Sequence, residues 1–238
     1  MSAANGPDAL GNVHASQVGT TDWPGRSLST ARPEQQGWRL SGENCTIMLS
    51  DVVGFAASSR NDVDRRIIWD ALFSMTHIVL QDLPEMWSWH DLGDGLLTVV
   101  LPSVPTARVV AHLHKDLPAA LDEHNRAYPD SSRIQLRVAI NVGPVTSDNM
   151  GVSGEAIIIA ARLVDAPVFK DAMKESGASL GIIASPFIYN RVIRHGPYLE
   201  GYSKIRGQVK ESRTVAWMKL FDRPLSSGER EPRAVASP

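Results

Sequence analysis

Two aspartates, Asp51 and Asp94, carry the strongest chemical signal in this 238-residue sequence. Asp51 closes the mostly apolar run Cys45-Thr46-Ile47-Met48-Leu49-Ser50 and precedes Val52-Val53-Gly54-Phe55. That pattern reads as a buried strand running into a glycine turn. Asp94 is the centre of Gly93-Asp94-Gly95, between Trp87-Ser88-Trp89-His90 and Leu96-Leu97-Thr98-Val99-Val100-Leu101. Two apolar runs around such a centre predict a hairpin. In a β-α-β-β arrangement the first strand lies beside the hairpin strands, so both carboxylates come to one end of the sheet. Two carboxylates joined by phosphate oxygens suit Mg²⁺ or Mn²⁺, which keep hard oxygen ligands. Taken singly, each also fits plain turn chemistry, Asp51 as a turn cap and Asp94 as a hairpin-turn residue.

The elements that must position this pair follow from periodicity. Asn61 with Asp64 three residues on marks a helix start, and Val63, Ile67, Ile68, Met75, Ile78 and Val79 recur at helical spacing. Pro105 to about Arg126 predicts a second helix. Ile134, Leu136, Val138, Ile140 and Val142 alternate with Gln135, Arg137, Ala139 and Asn141, the clearest strand in the chain, which Gly143-Pro144 is expected to end. Gly154 to about Lys174 reads as one long third helix. A strand over 179–185, a short helix over 186–195 and a last strand over 213–221 complete the pattern. The order β-α-β-β-α-β with C-terminal additions predicts an α+β, ferredoxin-like fold, which hosts many functions. Residues 1–40, rich in Gly, Ser, Ala, Thr and Pro, read as a flexible leader, 41–222 as the folded domain and 223–238 as a disordered tail.

Composition narrows the function classes. An apolar fraction of 43% supports a real core. The net charge of −2, with Lys and Arg scattered, gives no basic stripe for a nucleic acid and no basic run for a membrane surface. No segment approaches ~18 consecutive apolar residues, so no membrane span is expected. Cys45 is the single cysteine, which excludes an intrachain disulfide and a cysteine-based zinc site. The N-terminus lacks the pattern of a secretory signal, and a reducing, cytoplasmic location is the simplest reading.

Four blocks in order resemble the class III adenylate and guanylate cyclase family. They are Leu49-Ser50-Asp51-Val52-Val53-Gly54-Phe55, Leu92-Gly93-Asp94-Gly95-Leu96-Leu97, Arg137-Val138-Ala139-Ile140-Asn141-Val142-Gly143-Pro144-Val145, and Gly154-Glu155-Ala156 through Ala160-Ala161-Arg162-Leu163. The resemblance spans roughly residues 45 to 221. It implies that Asp51, Asp94 and the Val52 carbonyl hold two divalent ions, Mn or Mg, and that Val53-Gly54-Phe55 runs under the triphosphate of a nucleoside triphosphate. One ion would lower the pKa of the ribose 3′-hydroxyl while the other offsets charge on the leaving pyrophosphate. Arg162 matches the arginine that stabilises the transferring phosphoryl group. The family supplies that arginine from a partner subunit, which implies a homodimer. The plainer reading of Arg162 is a surface arginine paired with Asp165.

Departures from the family pattern fall on base and ribose recognition. Ile158 stands where most members carry a ribose-orienting asparagine. His90 stands where adenylate cyclases carry lysine and guanylate cyclases glutamate. Gly151 replaces the adenine-reading aspartate, and Gln208 a C-terminal lysine for which Lys204 or Lys210 would have to substitute. The usual basis for selecting ATP is therefore absent. Trp87, Trp89 and His90 near the base position would narrow the pocket towards a pyrimidine, although both tryptophans equally suit packing of the hairpin on a helix. The compact form also resembles the pyrimidine cyclases of bacterial antiphage systems. The expected activity is cyclisation of UTP, then CTP, to a 3′,5′-cyclic nucleotide read by a cyclic-nucleotide-responsive effector. A purine (ATP or GTP) cyclase and a catalytically inactive nucleotide-binding regulator are the alternatives. Signatures of diguanylate cyclases, serine hydrolases, zincins and P-loop proteins are absent.

Overall fold

The computed structural model describes residues 39–83, 86–149, 151–209 and 212–221. The expected leader up to residue 38 and the expected tail lie outside them. Strand β1 (Ser41–Val52) is central, and its residues 45–50 are buried. It is covered on both faces, which is why it reads as a continuous run with Thr46 and Ser50 as its only polar members. Helix α1 (Asp62–Val79) begins at Asn61, whose side chain accepts from the Val63 and Asp64 N–H groups at 2.8 and 3.0 Å, while Asp64 accepts from Asn61 N–H at 3.1 Å. That reciprocal cap satisfies N–H groups that a helix start leaves without partners.

The hairpin β2 (Trp87–Asp91) and β3 (Gly95–Val100) forms as expected around Gly93-Asp94. Helix α2 (Thr106–Ala127) leads to β4 (Leu136–Asp148), and the small strand β5 (Gly151–Ser153) folds back on its end. Helices α3 (Glu155–Val164) and α4 (Pro167–Ser176), strand β6 (Leu180–Ala184), helix α5 (Pro186–Arg191) and the hairpin β7 (Ser203–Val209) and β8 (Ser212–Phe221) follow. The sheet order is β2-β3-β1-β4-β6-β8-β7, with β5 on the end of β4. Its first four positions are the ferredoxin-like core, and the additions extend the β4 side. One face packs on α1, α2 and α5 through Met48, Val52, Leu96, Val100, Val138 and Ile140. The other packs on α3 and α4 through Ile47, Leu49, Leu97, Ala139, Leu163 and Phe169. Each large side chain so buried contributes about 1.5–3 kcal/mol. Among the described residues no helix is long and apolar enough to cross a membrane.

Three expectations need correction. The long helix over 154–174 is two helices. Pro167 disfavours helical backbone at the residue before it, and Ala166 accordingly sits at ψ 124° and breaks the run. Gly143-Pro144 does not end β4, which continues to Asp148. Pro144 lies between the stretch paired to β6 and the stretch paired to β5, where β1 is the paired neighbour, so its missing N–H is tolerated there. Strand β7 was not anticipated. Its segment, Ser203 to Val209, interleaves Lys, Arg and Gln with few apolar residues, as edge strands do.

Candidate functional site

Asp51 is the penultimate residue of β1, on the sheet face that carries Leu49 and Ile47 and lies under α3 and α4. Its cross-strand neighbours are Gly95 on β3 and Arg137 on β4. At Gly95 a Cβ would lie 2.1 Å from the Ser50 carbonyl oxygen, so only glycine allows β3 to approach β1 this closely. That approach carries the hairpin tip to the end of β1. Val52 N–H donates to the Asp94 carbonyl at 2.9 Å. The two aspartates expected from sequence to converge are therefore brought together. The Asp51 side chain is 18% exposed, whereas Asp94 is exposed. Burial pushes the Asp51 carboxyl above its ordinary range; the Arg137 charge opposes that, Asp94 adds to it, and Lys170 on α4 opposes it.

Arg137 was quoted in the sequence only as part of a block, and its place in the site was missed. Its Nη2 makes an ion-pair contact with Asp51 Oδ2, and its side chain is 12% exposed. The contact is made by Nη2, which together with the Arg137 charge opposes the effect of burial on the Asp51 carboxyl, while Arg137 Nε has no hydrogen-bond partner. The available signal was register: an arginine on the expected strand 134–142 lies opposite Asp51 once β1 and β4 pair antiparallel.

The donor set suits a hard cation. Two carboxylates and main-chain carbonyls are oxygen ligands, and Asp51 Oδ2 is a largely buried carboxylate oxygen whose neighbour is the Arg137 guanidinium. Among the described residues no group of three His, Cys, Asp or Glu side chains gathers to hold a metal, so phosphate or water oxygens would complete the shell. In the turn after β1, Val53 N–H donates to the Gln135 carbonyl at 2.9 Å and Phe55 N–H to the Val52 carbonyl at 3.3 Å. Gly54 and Ala56 N–H have no such backbone partner among the described residues, so the turn can offer them to an anion.

Arg162 and Ile158 lie four residues apart on one face of α3, with Ile158 52% exposed. The helix is held to β4 by the Asn141 side-chain amide, which donates to the Ala156 carbonyl at 2.9 Å. Arg162 is not among the charges that act on Asp51 within the chain. Asp165, its expected surface partner, is engaged by Lys170 Nζ at 2.7 Å.

His90 pairs with Leu97, so it shares the Asp51 face of the sheet. Its Nε2 is buried without a hydrogen bond, and burial lowers its pKa, leaving a neutral imidazole at neutral pH. Trp87 and Trp89 point to the opposite face. Trp87 packs edge-on against His77 of α1 at 4.9 Å and Trp89 against Phe73 at 5.2 Å. The expectation that these two rings narrow a base pocket is therefore wrong, because strand alternation sends them to α1 while His90 goes to the Asp51 side. Gly151 has φ +132°, which side-chain-bearing residues rarely adopt, so the conformation of β5 selects glycine where the family carries an aspartate. Gln208 falls on β7 opposite Arg213. Lys204 Nζ stacks over Trp217 at 5.4 Å, and Lys210 lies outside the described residues.

No protein-family model matches the chain, and no curated protein matches it. Solved structures do. An adenylate/guanylate cyclase/hydrolase from Silicibacter pomeroyi is 20% identical over 76% of this chain and 98% of its own, with a TM-score of 0.55. The adenylyl cyclase CyaB from P. aeruginosa is 17% identical over 78% and 97%, with a TM-score of 0.54. The guanylate cyclase domain of RhGC from Catenaria anguillulae, solved with GTP, is 17% identical over 76% and 98%, with a TM-score of 0.51. The chain has the fold of adenylate and guanylate cyclase domains. The matched cyclase domains are covered almost end to end.

Proposed function

We propose that the protein is a nucleotidyl cyclase, a phosphorus–oxygen lyase that converts a nucleoside triphosphate to a 3′,5′-cyclic nucleotide and pyrophosphate. The observation that carries this is the convergence of Asp51 and Asp94 at the end of β1, with the Asp51 carboxylate largely buried there. Asp51, Asp94 and the Val52 carbonyl would hold two divalent cations, Mn or Mg, with the triphosphate. Such cations, when bound, make the ribose 3′-hydroxyl more acidic and offset charge on the pyrophosphate. Gly54 N–H orients a phosphate oxygen. The 3′-oxygen gives up its proton to water and attacks the α-phosphorus as the bond from that phosphorus to the bridging α,β oxygen breaks, and the bridging oxygen leaves with pyrophosphate. Arg162 of a second subunit stabilises the charge that develops there. That assignment makes the site one completed in a homodimer.

The base is assigned to the pyrimidines, UTP before CTP, because Gly151 and His90 remove the adenine-reading pair and because a neutral His90 faces the site side of the sheet. The tryptophans no longer contribute to that argument. The structurally similar adenylyl and guanylyl cyclases keep ATP and GTP as the alternative. A cyclic pyrimidine nucleotide would act on a cyclic-nucleotide-responsive effector in the cytoplasm, as in antiphage signalling. Exposed Ile158 in place of an asparagine favours a second reading, a cyclase-fold regulator that binds nucleotide without turnover. Incubating the purified protein with each of the four ribonucleoside triphosphates and Mn²⁺, with chromatography of the products, decides between them. Cyclic UMP as the main product is expected; a purine product would overturn the base assignment, and no cyclic product from any triphosphate would overturn the enzyme assignment.

A further inference from the structure

Arg137 and Asp51 form a charged pair across β1 and β4. Both side chains are largely buried, 12% and 18% exposed, and they face each other directly. The pair closes through Arg137 Nη2 alone, since Arg137 Nε has no hydrogen-bond partner. On the other flank of Asp51, Gly95 contributes no side chain. Lys170 acts on the same carboxylate only through its field, because its ammonium group is held by Asp165 at 2.7 Å. Arg137 is thus the one cation that touches Asp51 among the described residues.

We infer that Arg137 is a positioning residue that stands in for the metal: in the nucleotide-free protein its guanidinium holds the Asp51 carboxylate, so a divalent cation binds there weakly until a triphosphate offers the guanidinium other oxygens. The inference rests on the reading of Asp51 as a cation ligand. Its physical basis is competition. A guanidinium and a divalent cation both neutralise the carboxylate, and both cannot sit against the same oxygen. Phosphate oxygens match the guanidinium fork as well as a carboxylate does, so the exchange leaves no buried charge without a partner. Cation and triphosphate then bind cooperatively, each raising the affinity of the other by the same factor.

Free Mn²⁺ measured by electron paramagnetic resonance in the absence of nucleotide tests this on the full chain. Arg137→Gln is expected to bind Mn²⁺ at least about tenfold more tightly than the unaltered protein, within the ~5–150-fold range of such couplings. Lys170→Gln, which removes an equal charge that does not touch Asp51, is expected to change the affinity less than about twofold, and Arg137→Lys to fall between. Adding α,β-methylene-UTP should tighten Mn²⁺ binding in the unaltered protein and do so less in Arg137→Gln. An Arg137→Gln protein with native circular dichroism and unchanged Mn²⁺ affinity overturns the inference. So does equal tightening in Lys170→Gln, which would make the effect one of general charge. If Arg137→Gln does not fold, Arg137→Lys decides: Mn²⁺ affinity no higher than in the unaltered protein overturns the inference. Asp51→Asn separates the two levels. Mn²⁺ binding that survives it removes the cation-ligand reading itself, whereas binding that it abolishes leaves Arg137 alone under test.

Discussion

Asp51 carries a charge where charge is costly. Burial raises its pKa, Asp94 adds to that, and Arg137 with Lys170 opposes it. Such a carboxylate is held by Arg137 in the fold and is the group proposed to take a cation when a triphosphate binds. Asp51→Ala and Asp94→Ala are each expected to lower the rate of cyclic product formation by at least about a hundredfold, the scale seen when one electrostatic group leaves a reacting centre. Circular dichroism should show both variants folded. His90→Ala is expected to reduce discrimination between triphosphates by about 5- to 150-fold, as leaving one buried polar group unpaired costs ~1–3 kcal/mol. Comparing kcat/KM for each triphosphate measures it. The aspartates were legible because a polar residue at the end of an apolar run stands out. Arg137 was not legible as a site residue, since its role depends on which strand lies beside β1. The tryptophans were misplaced for a related reason: residue type suggested bulk near the base, but alternation along β2 decides the face.

At the scale of elements, the site depends on how β1, β3 and α1 are set. Asn61→Ala removes the cap of α1 and is expected to cost about 1 kcal/mol. In a protein of this size that lowers Tm by roughly 2–4 °C, which differential scanning calorimetry resolves. Gly95→Ala is expected to be worse. Its Cβ would meet the Ser50 carbonyl at 2.1 Å, and backbone cannot move aside as a side chain can. A loss of about 1–3 kcal/mol in urea unfolding, together with loss of cyclase activity, is the expected result. The capped helix, the hairpin and the alternating strand were readable because each has a local cause. The break between α3 and α4 was also readable in principle, at Pro167. The full length of β4 and the existence of β7 were not, because sheet partners distant in sequence sustain them.

For the molecule as a whole, a buried histidine ties the core to its C-terminal additions. His114 on α2 has its Nδ1 at 2.7 Å from the Val110 carbonyl and its Nε2 at 2.9 Å from the Tyr202 hydroxyl. Burial lowers its pKa to about 4. A histidine depressed in the folded state stabilises fully above its unfolded value near 6.5, and that contribution is lost as pH falls towards 4. Urea unfolding is therefore expected to weaken by about 2–3 kcal/mol between pH 6.5 and 4, and His114→Gln to flatten part of that slope. His77, His90 and His124 are depressed as well and contribute in the same direction. The fold class was legible from the order of elements, and the additions on the β4 side do not disturb the four-strand core that places the aspartates. What a single sequence shows least is assembly, and the role proposed for Arg162 requires another copy of the chain. The central claim is a cation site on one subunit completed by an arginine from the next, and mixing two inactive variants tests it most directly. Asp51→Asn and Arg162→Ala are each expected to be inactive alone. An equal mixture, exchanged into heterodimers, should regain about a quarter of the unaltered activity, since half the dimers then carry one intact site of two. A mixture as inactive as its components, or full activity in either variant alone, would contradict the account.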